Sequence, residues 1–262
     1  MKKITIFLVL IVLFSCKEKG SNSEEKPFFV FYPRECNFIW ASWAKFKDVS
    51  DSKISNFEIL GVPENELSAK EALLVVYSSN LDTLVNKNEK SSFLLYPYAQ
   101  QNQMVNLDKK LAPHDINLEA QLETDYNNPV SKLKSKKTEE AFPVNLDYRV
   151  TGVKNLIITS TNTLFGKVAG TPLNDFFIIK RLDPKQVISS KSKRLLMGYS
   201  DKDSVVTIAD WLNMEPMAQP TMFLAFKNIS IELPVATSFV VTIETNAGKI
   251  IRDTTSTLSI IP

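Results

Sequence analysis

The stretch FVVTIETNAGKIIRDT, residues 239–254, decides the predicted fold class. Phe239, Val241 and Ile243 recur at every second position, which is the period of a β-strand with one buried face. The tetrapeptide TNAG at 245–248 supplies turn residues, and an apolar run returns after it. Two such strands joined by a short glycine-containing turn form a β-hairpin. The sequence therefore predicts antiparallel strands near the C-terminal end.

Further strands are predicted on both sides of this hairpin. Residues 148–160 are rich in Val, Ile and Thr, with Gly152 as a candidate bulge. The segment ISIEL at 229–233 alternates apolar and polar side chains, which is typical of a half-buried strand. Leu258 and Ile260 suggest a last strand. Several strands within about 120 residues fit an antiparallel β-sandwich in the C-terminal half.

Helices are expected to be few. Residues 174–180 and 208–213 are predicted as short helices, the second with Thr207 as its N-cap. Residues 63–70 suggest a helical turn, and 118–126 fit either a helix or a loop. The predicted class is therefore mainly β with some α.

The N-terminal half is expected to be β-rich or mixed. Residues 54–60, 72–77 and 92–98 look like strands. The polar segment NNPVSKLKSKKTEEAF, 127–142, is predicted as a solvated connection, with a charged surface helix as the alternative. The predicted divisions are a signal peptide at 1–15, a lipidated cysteine and flexible tether at 16–26, an N-terminal region at 27–140 and a β-sandwich-like domain at 141–262.

The first residues have the pattern of an export signal. Lys2 and Lys3 precede an apolar run from residue 4 to 14, and a small residue, Ser15, follows. As a helix this run spans about 16 Å, which is roughly half of a hydrocarbon core. A signal peptide is therefore favoured over a permanent transmembrane helix, although an ordinary signal peptide with a chance cysteine is an alternative to a lipoprotein signal.

The end of this segment, Leu13-Phe14-Ser15-Cys16, resembles the lipobox of bacterial lipoproteins. Leu13, Ser15 and Cys16 match that pattern, whereas Phe14 stands where Ala or Ser is more usual. The resemblance implies cleavage before Cys16 and lipidation of its sulfur. Lys17, in place of the aspartate that retains such proteins in the inner membrane, implies the outer membrane. The resemblance leaves open which side of that membrane the body faces.

The C-terminal pattern also resembles uncharacterised β-sandwich envelope lipoproteins of Gram-negative anaerobes. A strand that ends at Pro234, a hairpin with a glycine turn and a Thr-led last strand carry this resemblance. It covers about the last 35 residues and implies a fold rather than an activity.

Charge and cysteine content bear on two properties of the protein, nucleic-acid binding and disulfide formation. The chain has 31 basic and 29 acidic residues, and removal of Lys2 and Lys3 with the signal makes the mature protein near neutral. Nucleic acid is therefore not an expected partner. Lipidation of Cys16 would leave Cys36 as the single thiol, expected to be a small buried residue without a disulfide.

No catalytic, cofactor-binding or metal-ligating residue is predicted. The single histidine, His114, and one free cysteine cannot assemble a His-based zinc site, and His114 follows a proline in a polar stretch that suggests an exposed loop. The seven glycines form neither a Gly-x-Ser-x-Gly elbow nor a nucleotide-binding loop.

Trp40, Trp43 and Phe46 recur every third residue, which would bring them near one face of a helix. Exposed, they would form a possible binding platform for sugar rings or an apolar partner; buried, they are core, and burial is the favoured interpretation. The favoured function is a non-enzymatic binding, assembly or structural component of the envelope, held to the membrane by lipid, with a protein or glycan partner. The alternative is an anchored hydrolase that acts on glycans through a carboxylate pair.

Overall fold

The computed structural model describes residues 29–49, 56–79, 112–127, 144–180, 205–218 and 221–262. The fold is mainly β, as predicted, with several antiparallel sheets and little helix. The strands in the described residues are β1 Phe29–Arg34, β2 Phe38–Val49, β3 Asn56–Gly61, β4 Glu66–Ser68, β5 Ala72–Ser79, β6 Val144–Arg149, β7 Val153–Ser160, β8 Phe177–Lys180, β9 Val205–Thr207, β10 Thr221–Phe226, β11 Val235–Thr237, β12 Phe239–Thr245, β13 Ile250–Thr254 and β14 Leu258–Ile261. The helices are α1 Ile116–Asn127 and α2 Ile208–Leu212, with a 3₁₀ turn at Asn174–Phe176.

The largest described sheet has the strand order β3-β2-β5-β10-β8-β9, and all of its neighbouring strands are antiparallel. Its strands come from both sides of the connection predicted at 127–142. The pair β5–β10 joins the two parts, with Val75 opposite Phe223. The division proposed at residue 140 therefore does not separate two independent sheets.

Smaller sheets complete the described architecture. The predicted hairpin is confirmed: β12 pairs antiparallel with β13, and β12 pairs on its other edge with β7. β14 lies between β11 and β4, antiparallel to the first and parallel to the second. β1 and β6 form a parallel pair.

The main core is a sandwich interior. One face of the six-stranded sheet contributes Trp43, Phe177 and other apolar side chains, and β12 contributes Phe239 from the opposing sheet. Phe239 lies 5.1 Å from Trp43 and 5.6 Å from Phe177 between ring centroids. A second cluster, which contains Phe223, lies on the other face of the same sheet. Because both faces of its central strands are buried, the sequence there is a continuous apolar run rather than an alternation.

Two segments predicted as helical contain strands. Residues 63–70 contain β4, which pairs in parallel with β14, so the predicted helical turn is wrong. Residues 174–180 begin with the 3₁₀ turn but continue as β8. In β8, Phe177 and Ile179 are buried while the backbone pairs with β10, and this tertiary pairing outweighs the local helical tendency.

Other expectations are met locally. α2 begins after Thr207, whose Oγ1 accepts a hydrogen bond from the Asp210 N–H, as predicted for an N-cap. The ambiguous segment at 118–126 is helical. The strand predicted over 148–160 is two strands, β6 and β7, with Gly152 in an isolated bridge to Met217 between them.

Several predicted features fall outside the described residues. They are the signal peptide at 1–15, Cys16, the tether, the strand at 92–98 and nearly all of the connection at 127–142.

Candidate functional site

The aromatic triplet of β2 is part of the core. The exposed fractions of Trp40, Trp43 and Phe46 are 2%, 2% and 3%. The stretch is a strand rather than a helix, so successive side chains alternate between faces. Trp43 consequently packs in the main core, whereas Trp40 and Phe46 pack in the cluster on the opposite face. These residues are therefore core, as the favoured interpretation of the sequence had it, and not an exposed platform.

Cys36 is also buried, as expected, with an exposed fraction of 1%. Its backbone N–H donates to Thr151 Oγ1 at 2.8 Å, and its Sγ lies 3.7 Å from the Phe38 carbonyl oxygen. A buried thiol of this kind fills space and is shielded from reagents.

His114 lies in an exposed loop before α1, as predicted, and belongs to a hydrogen-bonded network. Its Nδ1 and the Tyr148 hydroxyl are each 2.6 Å from Glu119 Oε1. The Tyr148 hydroxyl also accepts from the Asp115 N–H at 2.9 Å. Burial, together with the hydrogen bond to Glu119, raises the pKa of Tyr148 above its usual range.

This network is suited to holding α1 against β6. A phenol with a raised pKa stays protonated at neutral pH and is a poor base or nucleophile. The Tyr148 hydroxyl instead donates a hydrogen bond to Glu119 and accepts one from the Asp115 N–H, just before α1. We therefore assign it a structural role.

The most unusual exposed feature is a pair of loops, residues 164–170 and 227–233, which we call the paired loops. They are joined by the carboxylate of Glu232. The Gly166 N–H donates to Glu232 Oε1 at 2.6 Å, and the Phe165 N–H donates to Glu232 Oε2 at 3.0 Å and to Ser230 Oγ at 2.8 Å. The Ser230 hydroxyl also donates to the same carboxylate.

The backbone at 165–166 forms a tight turn. Phe165 and Gly166 both have positive φ, at 54° and 70°, as the two central residues of a type I′ turn do, and Leu164 and Lys167 exchange both backbone hydrogen bonds across it. The Phe165 ring stacks on Phe176 with 4.4 Å between centroids and contacts Phe226 at 5.6 Å. The paired loops are thus fastened to the core at their base.

Above this base, apolar side chains point to solvent. The exposed fractions of Val168, Ile229 and Ile231 are 69%, 45% and 93%. Segment 229–233 was predicted as a half-buried strand with its apolar residues inside, and this is wrong. Ser230 and Glu232 turn inward to bond the backbone of the other loop, so the intervening Ile231 turns outward.

Each of the paired loops also contains an exposed lysine. Lys167 lies in one loop and Lys227 in the other. The Ser230 hydroxyl, followed by the N–H groups of Gly166 and Phe165, lowers the pKa of Glu232, so this carboxylate remains charged at neutral pH. The negative charge of Glu232 accepts hydrogen bonds from the Phe165 and Gly166 N–H groups within the paired loops.

The described residues offer few other kinds of site. They contain no group of three or more His, Cys, Asp or Glu placed to hold a metal ion. No helix in these segments has the length and apolar character required to cross a bilayer. The chain matches no protein-family model, no curated protein and no solved structure.

Sequence reasoning did not select the paired loops. The alternation at 229–233 was visible, but the same pattern fits a strand and a loop whose polar side chains bond inward. Only the tertiary position of Phe165 and Gly166 distinguishes the two.

Proposed function

We propose that this protein is a lipid-anchored component of the cell envelope, held by Cys16, that acts by binding rather than by catalysis. The paired loops are its contact surface. The observation that carries this proposal is the exposure of Val168, Ile229 and Ile231 on two loops fixed to the core. Exposed aliphatic side chains on two joined loops are typical of a site that is covered by a partner.

The rigidity of the paired loops supports a binding role. An exposed apolar side chain on a free loop can fold back onto the protein surface. Here Glu232 and Ser230 bond the backbone of the opposite loop, which prevents Ile231 from turning inward without loss of these bonds.

The alternative of a glycan hydrolase receives no comparable support. A general acid in such an enzyme needs a raised carboxyl pKa. The carboxylate of Glu232 does not meet this requirement, because hydrogen bonds from Ser230 and from the Gly166 N–H lower its pKa.

The anchor is tested by metabolic labelling with an alkyne fatty acid. The wild-type chain is expected to incorporate the label, and the Cys16→Ala variant is expected to incorporate none. Equal labelling of the two chains would refute the lipid anchor.

The contact surface is tested by photocrosslinking in intact cells. A photoreactive residue replaces Ile231 in one variant and Ile116 in the other, since Ile116 is also an isoleucine and its exposed fraction is 76%. Position 231 is expected to give adducts with protein or lipid well above the level at position 116. Equal yields would show that the paired loops are not a contact surface.

A further inference from the structure

The paired loops combine three exposed aliphatic side chains with two exposed lysines. We propose that they contact lipid directly, with Ile231 entering the boundary between headgroups and acyl chains of the bilayer that holds Cys16. This inference rests on the proposed function and names the partner of the same surface. The protein would then touch the membrane at two points, its acylated N-terminus and the paired loops.

The side-chain chemistry favours lipid over a protein partner. Val168, Ile229 and Ile231 are aliphatic, whereas the residues that dominate protein–protein binding are mainly Trp, Tyr and Arg in well-packed pockets. At an exposed fraction of 93%, Ile231 projects from the surface rather than lining a depression. A projecting aliphatic side chain can enter a fluid apolar phase without a matching pocket.

The polar groups are compatible with the headgroup region. Lys167 lies next to Val168 in one loop, and Lys227 precedes Ile229 in the other. Lysine can keep its ammonium group among the headgroup phosphates while its stem lies along apolar surface. Glu232, the one acidic residue in the sequence of the paired loops, is bonded to backbone N–H groups.

The length of chain before β1 would keep the body close to a bilayer that holds Cys16. Thirteen residue steps separate Cys16 from Phe29, and such a segment reaches at most about 45 Å. A chain of about 250 residues has a radius of gyration of roughly 18 Å. The body is therefore restricted to the neighbourhood of the bilayer, which raises the effective concentration of lipid at its surface.

The inference is tested with the full, lipidated chain reconstituted in phospholipid vesicles. Ile231→Cys is labelled with an environment-sensitive fluorophore, and Ile116→Cys is the matched control. Cys16 is acylated and Cys36 is 1% exposed, so the label is directed to the introduced thiol. Lipids brominated along their acyl chains then quench a fluorophore that enters the apolar region.

The label at position 231 is expected to shift its emission to shorter wavelength and to be quenched about threefold more than the label at 116, because a side chain at the headgroup–acyl boundary lies within about 5–10 Å of the brominated chains. Equal quenching at the two positions would overturn the inference, provided that both variants keep the wild-type near-ultraviolet circular dichroism. Photocrosslinking at 231 gives an independent result: phospholipid adducts support the lipid contact, whereas protein adducts overturn it and leave the proposed binding function intact. If Cys16 carries no lipid, the proposed function fails and the inference fails with it.

Discussion

Replacement of Phe239 by alanine is expected to lower the free energy of unfolding by about 3–5 kcal/mol. The Phe239 side chain is 0% exposed. Its ring centroid lies 5.1 Å from that of Trp43, 5.6 Å from that of Phe177 and 5.9 Å from that of Phe226. Close-packed interiors relax only partly around a lost ring, so the cavity adds to the lost burial of apolar surface.

Urea unfolding followed by tryptophan fluorescence and by far-ultraviolet circular dichroism measures this loss. Trp43 belongs to β2 and Trp211 to α2, so the fluorescence reports on both parts of the chain. With a denaturant dependence of about 2.5 kcal/mol per molar urea, the midpoint is expected to fall by about 1–2 M. Both signals are expected to move together in one transition.

Ile231→Ala is the control because this side chain lies outside the core. Its midpoint is expected to move by less than about 0.2 M. A separate early transition of Phe239→Ala that left the tryptophan signal unchanged would contradict this expectation. Such a result would mean that β2 and β12 do not share one cooperative core.

Four further outcomes are expected. Tyr148→Phe should cost about 1–2 kcal/mol at neutral pH. Wild-type stability should also decline as the pH rises above about 10, because the unfolded phenol ionises there while the folded one remains protonated, and urea midpoints that fall equally in the variant would contradict this. Glu232→Gln should accelerate hydrogen exchange at the Phe165 and Gly166 amides, and unchanged rates would contradict the bonding of the paired loops. Thr207→Ala should cost about 1 kcal/mol in thermal unfolding through loss of the cap of α2, and an unaltered melting temperature would exclude that role. The Cys36 thiol of the folded wild-type protein should resist a thiol reagent that reacts fully with it in urea, and rapid labelling of the folded protein would contradict its burial.

Predictions from the sequence were right where an element depends on residues close in sequence, and wrong where it depends on distant pairing partners. The hairpin β12–β13 and the Thr207 cap involve residues close in sequence, and both were predicted. β4 and β8 were misassigned as helical because their strand character comes from pairing with distant partners, β14 and β10. Local propensity cannot report such pairings.

The candidate site shows the same limit. His114 was expected in an exposed loop and is found there, and Cys36 was expected to be buried and is. For the aromatic triplet of β2, the sequence suggested one shared face if the stretch were helical. The stretch is a strand, and Trp40 and Trp43 lie on its opposite faces. The lipid anchor at Cys16 stays a prediction that labelling can test.

By itself, the sequence determined the mainly β class and the C-terminal hairpin, because an alternating pattern and a short turn encode both locally. Only the tertiary structure decided which strands share a sheet, and it joined β5 to β10 across the segment expected to divide the chain. It also decided the orientation of residues 229–233. The N–H groups of Phe165 and Gly166, 67 and 66 positions before Glu232, bond its carboxylate and hold it inward. Because Glu232 is held in this way, the adjacent Ile231 is exposed.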